Sequence, residues 1–168
     1  MALNAYLNLK GQKTGQIKGS VTQKGRENMI EVNAFNHEII SPRDSASGLP
    51  TGRRMHKPFV ITKELDKSTP LLYAALATNE KLTQFELKCF APSVAGKVGG
   101  AGAETNHFTI KLTNATIASI RSTMSNNNIS DLATLPVMEE ITFTYQKIEW
   151  TWVDGGITAQ DDWESSVV

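Results

Sequence analysis

The side chains with the strongest claim to chemistry are three histidines (His37, His56 and His107), one cysteine (Cys89) and two adjacent carboxylate pairs, Glu139–Glu140 and Asp161–Asp162. Sequence-local metal sites pair histidines as in HExxH or cysteines as in CxxC. Neither spacing occurs, so no metal and no other cofactor is expected. Neighbouring residues of a strand point to opposite faces, so Glu139 and Glu140 cannot converge on one substrate as the carboxylates of a glycosidase do. Both pairs, Asp161–Asp162 included, read as solvated charges or interface salt bridges. Cys89 lies in the apolar-flanked run Phe85-Glu86-Leu87-Lys88-Cys89-Phe90, with no local histidine or second cysteine, and reads as a buried, inert thiol. The stretch Gly96-Lys97-Val98-Gly99-Gly100-Ala101-Gly102 superficially offers a phosphate cradle. It lacks the Lys-Ser/Thr ending and opens no helix, so it reads as a mobile hairpin. No GxSxG elbow is present either, and no catalytic residue is assigned.

Two further groups suggest binding. Arg53-Arg54-Met55-His56-Lys57, with Arg43 upstream, is the one concentration of basic charge. Its plain reading is a solvated loop; its sharper reading is docking onto an acidic patch of a partner or of another copy of the chain. Trp150 and Trp152 share one strand face with Ile148, and together with Tyr145 they read as anchors of the core or of a subunit interface. The alternative is a monomeric β-sandwich that uses the two indoles as a carbohydrate-binding platform.

The elements that must position these groups are mostly strands. Alternation marks residues 5–10, 16–23 and 82–91, and runs rich in β-branched and aromatic residues mark 29–41 and 59–62. Two stretches, 107–124 and 140–153, are long for strands, and the parity of their apolar positions changes part-way: Phe108, Ile110 and Leu112 give way to Ala115 and Ile117, and Ile141, Phe143 and Tyr145 give way to Ile148, Trp150 and Trp152. A bulge would do this, as would burial of both faces in an assembly. One helix is expected, about 69–79, with a capping residue and then Pro70 near its first position. Leu72, Ala75, Leu76 and Asn79 share its inner face. Residues 42–57 form an extended loop without periodicity, and 154–168 a tail or last edge element. The fold class is mainly β: an antiparallel two-sheet barrel or sandwich with one short flanking helix, in a single domain over 1–168.

Lys+Arg and Asp+Glu are 17 each, so there is no net field to attract nucleic acid or an anionic membrane. One cysteine permits no intrachain disulfide, which suits folding in a reducing cytoplasm. No apolar run approaches the roughly 20 residues that span a bilayer, so no membrane insertion is expected. The first ten residues carry no basic leader and no continuous apolar stretch, so export, if it occurs, is expected without a Sec signal.

Thr62-Lys63-Glu64-Leu65-Asp66-Lys67-Ser68-Thr69-Pro70 resembles the TKxxDxxSP turn of the haemolysin-coregulated protein (Hcp) family of bacterial type VI secretion systems, with Thr69 where that pattern has serine. Residues 136–151 are similar to that family's closing strand, and the opening strand and Asn33-Ala34-Phe35-Asn36-His37 fit more loosely. The resemblance spans nearly the whole chain. It implies a structural subunit that assembles as a hexameric ring. Rings stack into a tube that is driven by a contractile sheath and tipped by a spike protein, and some family members hold and shield small secreted effectors in the lumen. On that reading the loop at 42–57 reaches an adjacent ring through Arg43, Arg53, Arg54, His56 and Lys57. A fused carboxy-terminal toxin domain, present in some relatives, is not expected. The protein would begin in the bacterial cytoplasm and leave through the type VI system.

Overall fold

The structure is a computed structural model that describes residues 4–93 and 103–164. The glycine-rich stretch 96–102 lies outside the described residues. The chain forms β1 (Ala5–Gly11), β2 (Gly15–Ile17), β3 (Ile30–Val32), β4 (Ala34–Asn36), β5 (Ile39–Ile40), β6 (Met55–His56), β7 (Phe59–Glu64), α1 (Thr69–Ala77), β8 (Lys81–Pro92), β9 (Glu104–Thr113), β10 (Ala115–Thr123), β11 (Met138–Thr144), β12 (Lys147–Trp152) and β13 (Ile157–Asp162).

All pairings are antiparallel, and they close a circuit. β8 pairs with β1, β1 with β3, β4 with β7, β7 with β11, and β11 with β10. β10 returns to β8 through Ala115↔Leu82 and Thr116↔Lys81. Only Asn33 separates β3 from β4, so the circuit is a barrel. The outer half of β8 continues into a flap, β8–β9–β12–β13.

The parity changes in the sequence come from a shared bend. β9 and β10 are one long strand interrupted at Asn114, which takes a left-handed φ of 52°. Opposite it, β11 and β12 are interrupted at Tyr145–Gln146. The Gln146 amide donates to the Thr113 carbonyl at 3.1 Å, and Asn114 Nδ2 donates to Gln146 Oε1 at 2.6 Å. Both strands thus pass from barrel to flap at one level, as strands do when they turn a sheet corner. The inward set is Ile110 and Leu112 before the bend and Ala115 and Ile117 after it, all buried.

Inside the barrel Phe59, Phe85 and Phe143 pack edge-to-face, with Phe85 5.6 Å from Phe59 and 4.9 Å from Phe143. This geometry suits the ring quadrupoles, and the trio is sealed by Leu7, Leu9, Ile61, Leu87 and Ile141. α1 packs on β10 and buries Leu72 and Ala75 in the core. The expected cap is absent: Ser68 makes no capping bond and instead donates to Asp66 Oδ1 at 2.5 Å. The far end closes as a Schellman turn, with Asn79 left-handed at φ 49° and Glu80 N donating to the Ala75 carbonyl at 2.9 Å.

Three segments differ from the pattern in the sequence. The second strand is only Gly15–Ile17, because Gly19 turns the chain away against Met29. The run 29–41 is three short strands with three different partners. The aperiodic loop 42–57 is an ordered hairpin arm. β5 pairs with β6, Arg43 bridges Pro50, and Asp44 binds Ser47 N and Oγ at the tip, both at 2.7 Å.

Candidate functional site

The TKxxDxxSP turn is a buried polar knot. Lys63 enters the barrel wall from β7 and donates to Glu139 Oε1 at 2.5 Å, to Asp66 Oδ1 at 3.0 Å and to the Glu64 carbonyl at 2.7 Å. Thr69 Oγ1 donates to the same Glu139 oxygen at 2.9 Å. Thr69 therefore supplies the hydroxyl that a serine would supply. Burial alone would raise the Asp66 pKa, but the hydrogen bonds from Ser68 and Lys63 outweigh it and hold the carboxyl below its usual range. The reading of Glu139 as a solvated or interface charge is corrected. It is fully buried because the β7–β11 register sets it directly opposite Lys63.

The arm is fixed to the flap by Asp161. Arg54 grips Asp161 with Nε and with Nη2, the latter at 2.6 Å, and donates to the Asp162 carbonyl at 2.7 Å. His56 Nε2 lies 2.7 Å from Asp161 Oδ2, and its Nδ1 lies 2.8 Å from the Tyr145 hydroxyl. His37 Nε2 reaches the same hydroxyl at 2.5 Å. The Arg54 guanidinium, the largest influence, holds Asp161 below the ordinary carboxylate range, and burial pushes Tyr145 up. Arg54 and His56 are thus turned onto their own chain. Lys57 pairs with Glu38 at 2.6 Å, Arg53 donates to the Glu164 carbonyl at 3.4 Å, and Arg43 stands exposed on the arm. Asp161, which reads as a surface charge in the sequence, is the residue that gathers the arm. Its partners lie more than a hundred residues away, so no local spacing could signal it.

The four aromatic and aliphatic anchors divide along the strand. Tyr145 and Ile148 belong to the core, Trp150 is half-buried against it, and Trp152 is 45% exposed. Trp152 stands at the rim of an apolar groove of about 590 Å³ lined also by Phe35, Phe90, Phe108, Cys89 and His107. His107 packs edge-on to Trp152 at 5.7 Å, and its Nδ1 is buried without a hydrogen-bond partner. Burial raises the Cys89 thiol pKa. Phe35 in the groove lining is 43% exposed, and Ile157, opposite Trp152 in the β12–β13 ladder, is 69% exposed. Among the described residues, no helix is long and apolar enough to cross a membrane, and no three His, Cys, Asp or Glu side chains converge as metal ligands.

Residues 6–152 match the protein family described as "Type VI secretion system effector, Hcp". The chain belongs to the Hcp family. Its relatives include the major exported protein of Pseudomonas aeruginosa, 40% identical over 176 aligned positions that cover 99% of both proteins. Among solved Hcp structures, a mutant form of the Hcp1 protein of Escherichia coli is 36% identical, with a TM-score of 0.80 over 96% of this chain and 99% of its own. The secreted Hcp3 protein of Pseudomonas aeruginosa is 34% identical, with a TM-score of 0.73 over 95% and 99%. The curled antiparallel sheet with one helix is therefore the Hcp fold, and the chain is a type VI secretion tube protein.

Proposed function

We propose that six copies of this chain close into a ring and that the rings stack into the inner tube of a type VI secretion system. The subunit is structural rather than catalytic. The observation that carries the ring is the apolar rim: Phe35, Trp152 and Ile157 leave a large apolar surface uncovered, and such patches on a soluble chain mark an interaction site. The sheet path also ends in β13 on one side and β4 on the other, which leaves two different strand edges to meet head to tail. A heterologous contact that closes by rotation makes a ring and removes the exposed edges.

Stacking is assigned to the arm. Its inner residues, Arg54 and His56, set its position on the flap, while Arg43 and Arg53 present charge toward the next ring and Lys57, paired with Glu38, braces the base of the arm. The sheath, the spike protein at the tip and secreted effectors in the lumen are the further partners of this reading. The protein starts in the cytoplasm and is exported by the type VI machinery itself. Negative-stain micrographs of the purified chain test the ring directly. Six-fold annuli support it, and a field of small single particles at every concentration overturns it. The carbohydrate-binding module needs accessible paired indoles, but Trp150 is tied into the core, so Trp152 alone faces outward.

A further inference from the structure

The base of the arm rests on one hydroxyl shared between two imidazoles, and its proton inventory is restrictive. An ionised carboxylate only accepts, so His56 Nε2, 2.7 Å from Asp161 Oδ2, must carry a proton. In neutral His56 the other nitrogen, Nδ1, is then an acceptor, and the Tyr145 hydroxyl 2.8 Å away donates to it. That uses the single Tyr145 proton. His37 Nε2, 2.5 Å from the same oxygen, must therefore be the donor. The chain reads His37 to Tyr145 to His56 to Asp161, with every step satisfied when both imidazoles are neutral.

One added proton can be absorbed. If His56 becomes an imidazolium, Nδ1–H donates to the Tyr145 oxygen, and the hydroxyl turns to give its proton to His37 Nε2, now the acceptor. A second proton cannot be absorbed. With both rings cationic, Nε2–H of His37 and Nδ1–H of His56 crowd one oxygen, and the tyrosine proton has no acceptor between two like charges.

We propose that His37, Tyr145, His56 and Asp161 form a pH-sensitive latch that clamps the arm to the rest of its chain at neutral pH and releases it in mild acid, as this hydrogen-bond chain takes up protons. His37 leads into β5 and His56 ends β6, so the latch holds both strands of the arm. Tyr145 sits at the bend between β11 and β12, and Asp161 is on β13. The other charges that face the cluster are Arg54, which grips Asp161, and Asp162, which accepts from Gln146 Nε2 at 3.2 Å. Beside the arm base Lys57 and Glu38 neutralise each other at 2.6 Å. Arg54 keeps its charge at any relevant pH, so release does not come from Asp161 alone. Burial first, and then the neighbouring His56, hold His37 below the ordinary imidazole value, as a ring kept neutral inside the latch requires. Such a group contributes stability above its ordinary value of 6.5. That stability is lost as the pH falls through this value toward the folded one. The latch is a property of one chain and holds whether or not the arm meets a second ring.

The test is amide hydrogen exchange of the full-length protein, read as protection of the arm relative to protection of β8 in the same sample. Between about pH 7.5 and about pH 5 the ratio should fall at least about tenfold, with β8 itself unchanged. His37→Gln keeps an N–H donor but cannot become a cation, so its arm should stay protected at the lower pH. Tyr145→Phe keeps the ring and removes the shared oxygen. Its arm should be less protected already at neutral pH and show little further loss. A wild-type ratio that does not change with pH overturns the latch. So does His37→Gln releasing like wild type, or, if that variant fails to fold, Tyr145→Phe retaining the full acid-dependent loss.

Discussion

Lys63 and Glu139 face each other at 2.5 Å across the β7–β11 ladder, with neither side chain exposed to solvent. Buried charges are tolerated only when they are paired and hydrogen-bonded, and here Asp66 and Thr69 supply the remaining contacts. The Glu139 Oε2 atom is left without a hydrogen-bond partner, so the site depends on the lysine for its one counter-charge. The pairing ties the strand before α1, the turn into α1 and the closing strand to a single point.

Removing the lysine should therefore cost more than neutralising the glutamate. Lys63→Met leaves the buried Glu139 carboxylate and the half-buried Asp66 without their cation and should destabilise by about 3–5 kcal/mol. Glu139→Gln leaves Lys63 on Asp66 and should cost about 1–3 kcal/mol. Urea unfolding followed by far-ultraviolet circular dichroism measures both. Equal costs, or a Lys63→Met cost below about 1 kcal/mol, would show that the knot is not what joins these elements.

Gly19 is fixed by close approach. A Cβ at this position would overlap the Met29 carbonyl and the Ile30 Cα, both backbone atoms that cannot swing aside. Gly19→Ala should cost at least about 1–3 kcal/mol, whereas Gly52→Ala, with open space around it, should be close to neutral. Similar unfolding midpoints for the two variants would contradict this packing.

The groove rim should matter to assembly and little to the fold. Trp152 is 45% exposed and rests on His107, so Trp152→Glu should cost the isolated chain only about 1–2 kcal/mol. At the centre of an apolar contact the same change leaves a buried, unpaired charge and should weaken ring closure by several kcal/mol. Sedimentation velocity distinguishes the outcomes. A variant that sediments as wild type would remove Trp152 from the interface.

The arm separates seating from stacking. Arg43→Glu with Arg53→Glu leaves the Arg54–Asp161 clamp in place, so single rings should form while tubes shorten or fail. Arg54→Glu sets a carboxylate against Asp161 and should unseat the arm itself, visible as loss of hydrogen-exchange protection at Met55 and His56. Tubes of normal length from the Arg43/Arg53 variant would end the stacking role of these residues.

The barrel was legible in the sequence wherever a strand has one buried face: Leu7 and Leu9, Phe85 and Leu87, and Ile141 and Phe143 alternate as the structure buries them. The long strands were visible too, but not their bend, since a parity change marks a corner and an assembly contact alike and only the Asn114 φ and the Gln146 pairing decide between them. The arm was hidden because its strands are two residues each and it buries little apolar surface of its own. Asp161 and Glu139 were misread for one reason. A carboxylate looks solvated in a sequence, and only register or a distant arginine reveals that it is paired.

The measurement to make first is the solution mass by light scattering behind a sizing column. The chain is 18.4 kDa, so a closed ring of six should elute at about 110 kDa, with larger stacked species at high concentration. A single species at 18.4 kDa across a wide concentration range would contradict ring assembly by this chain alone.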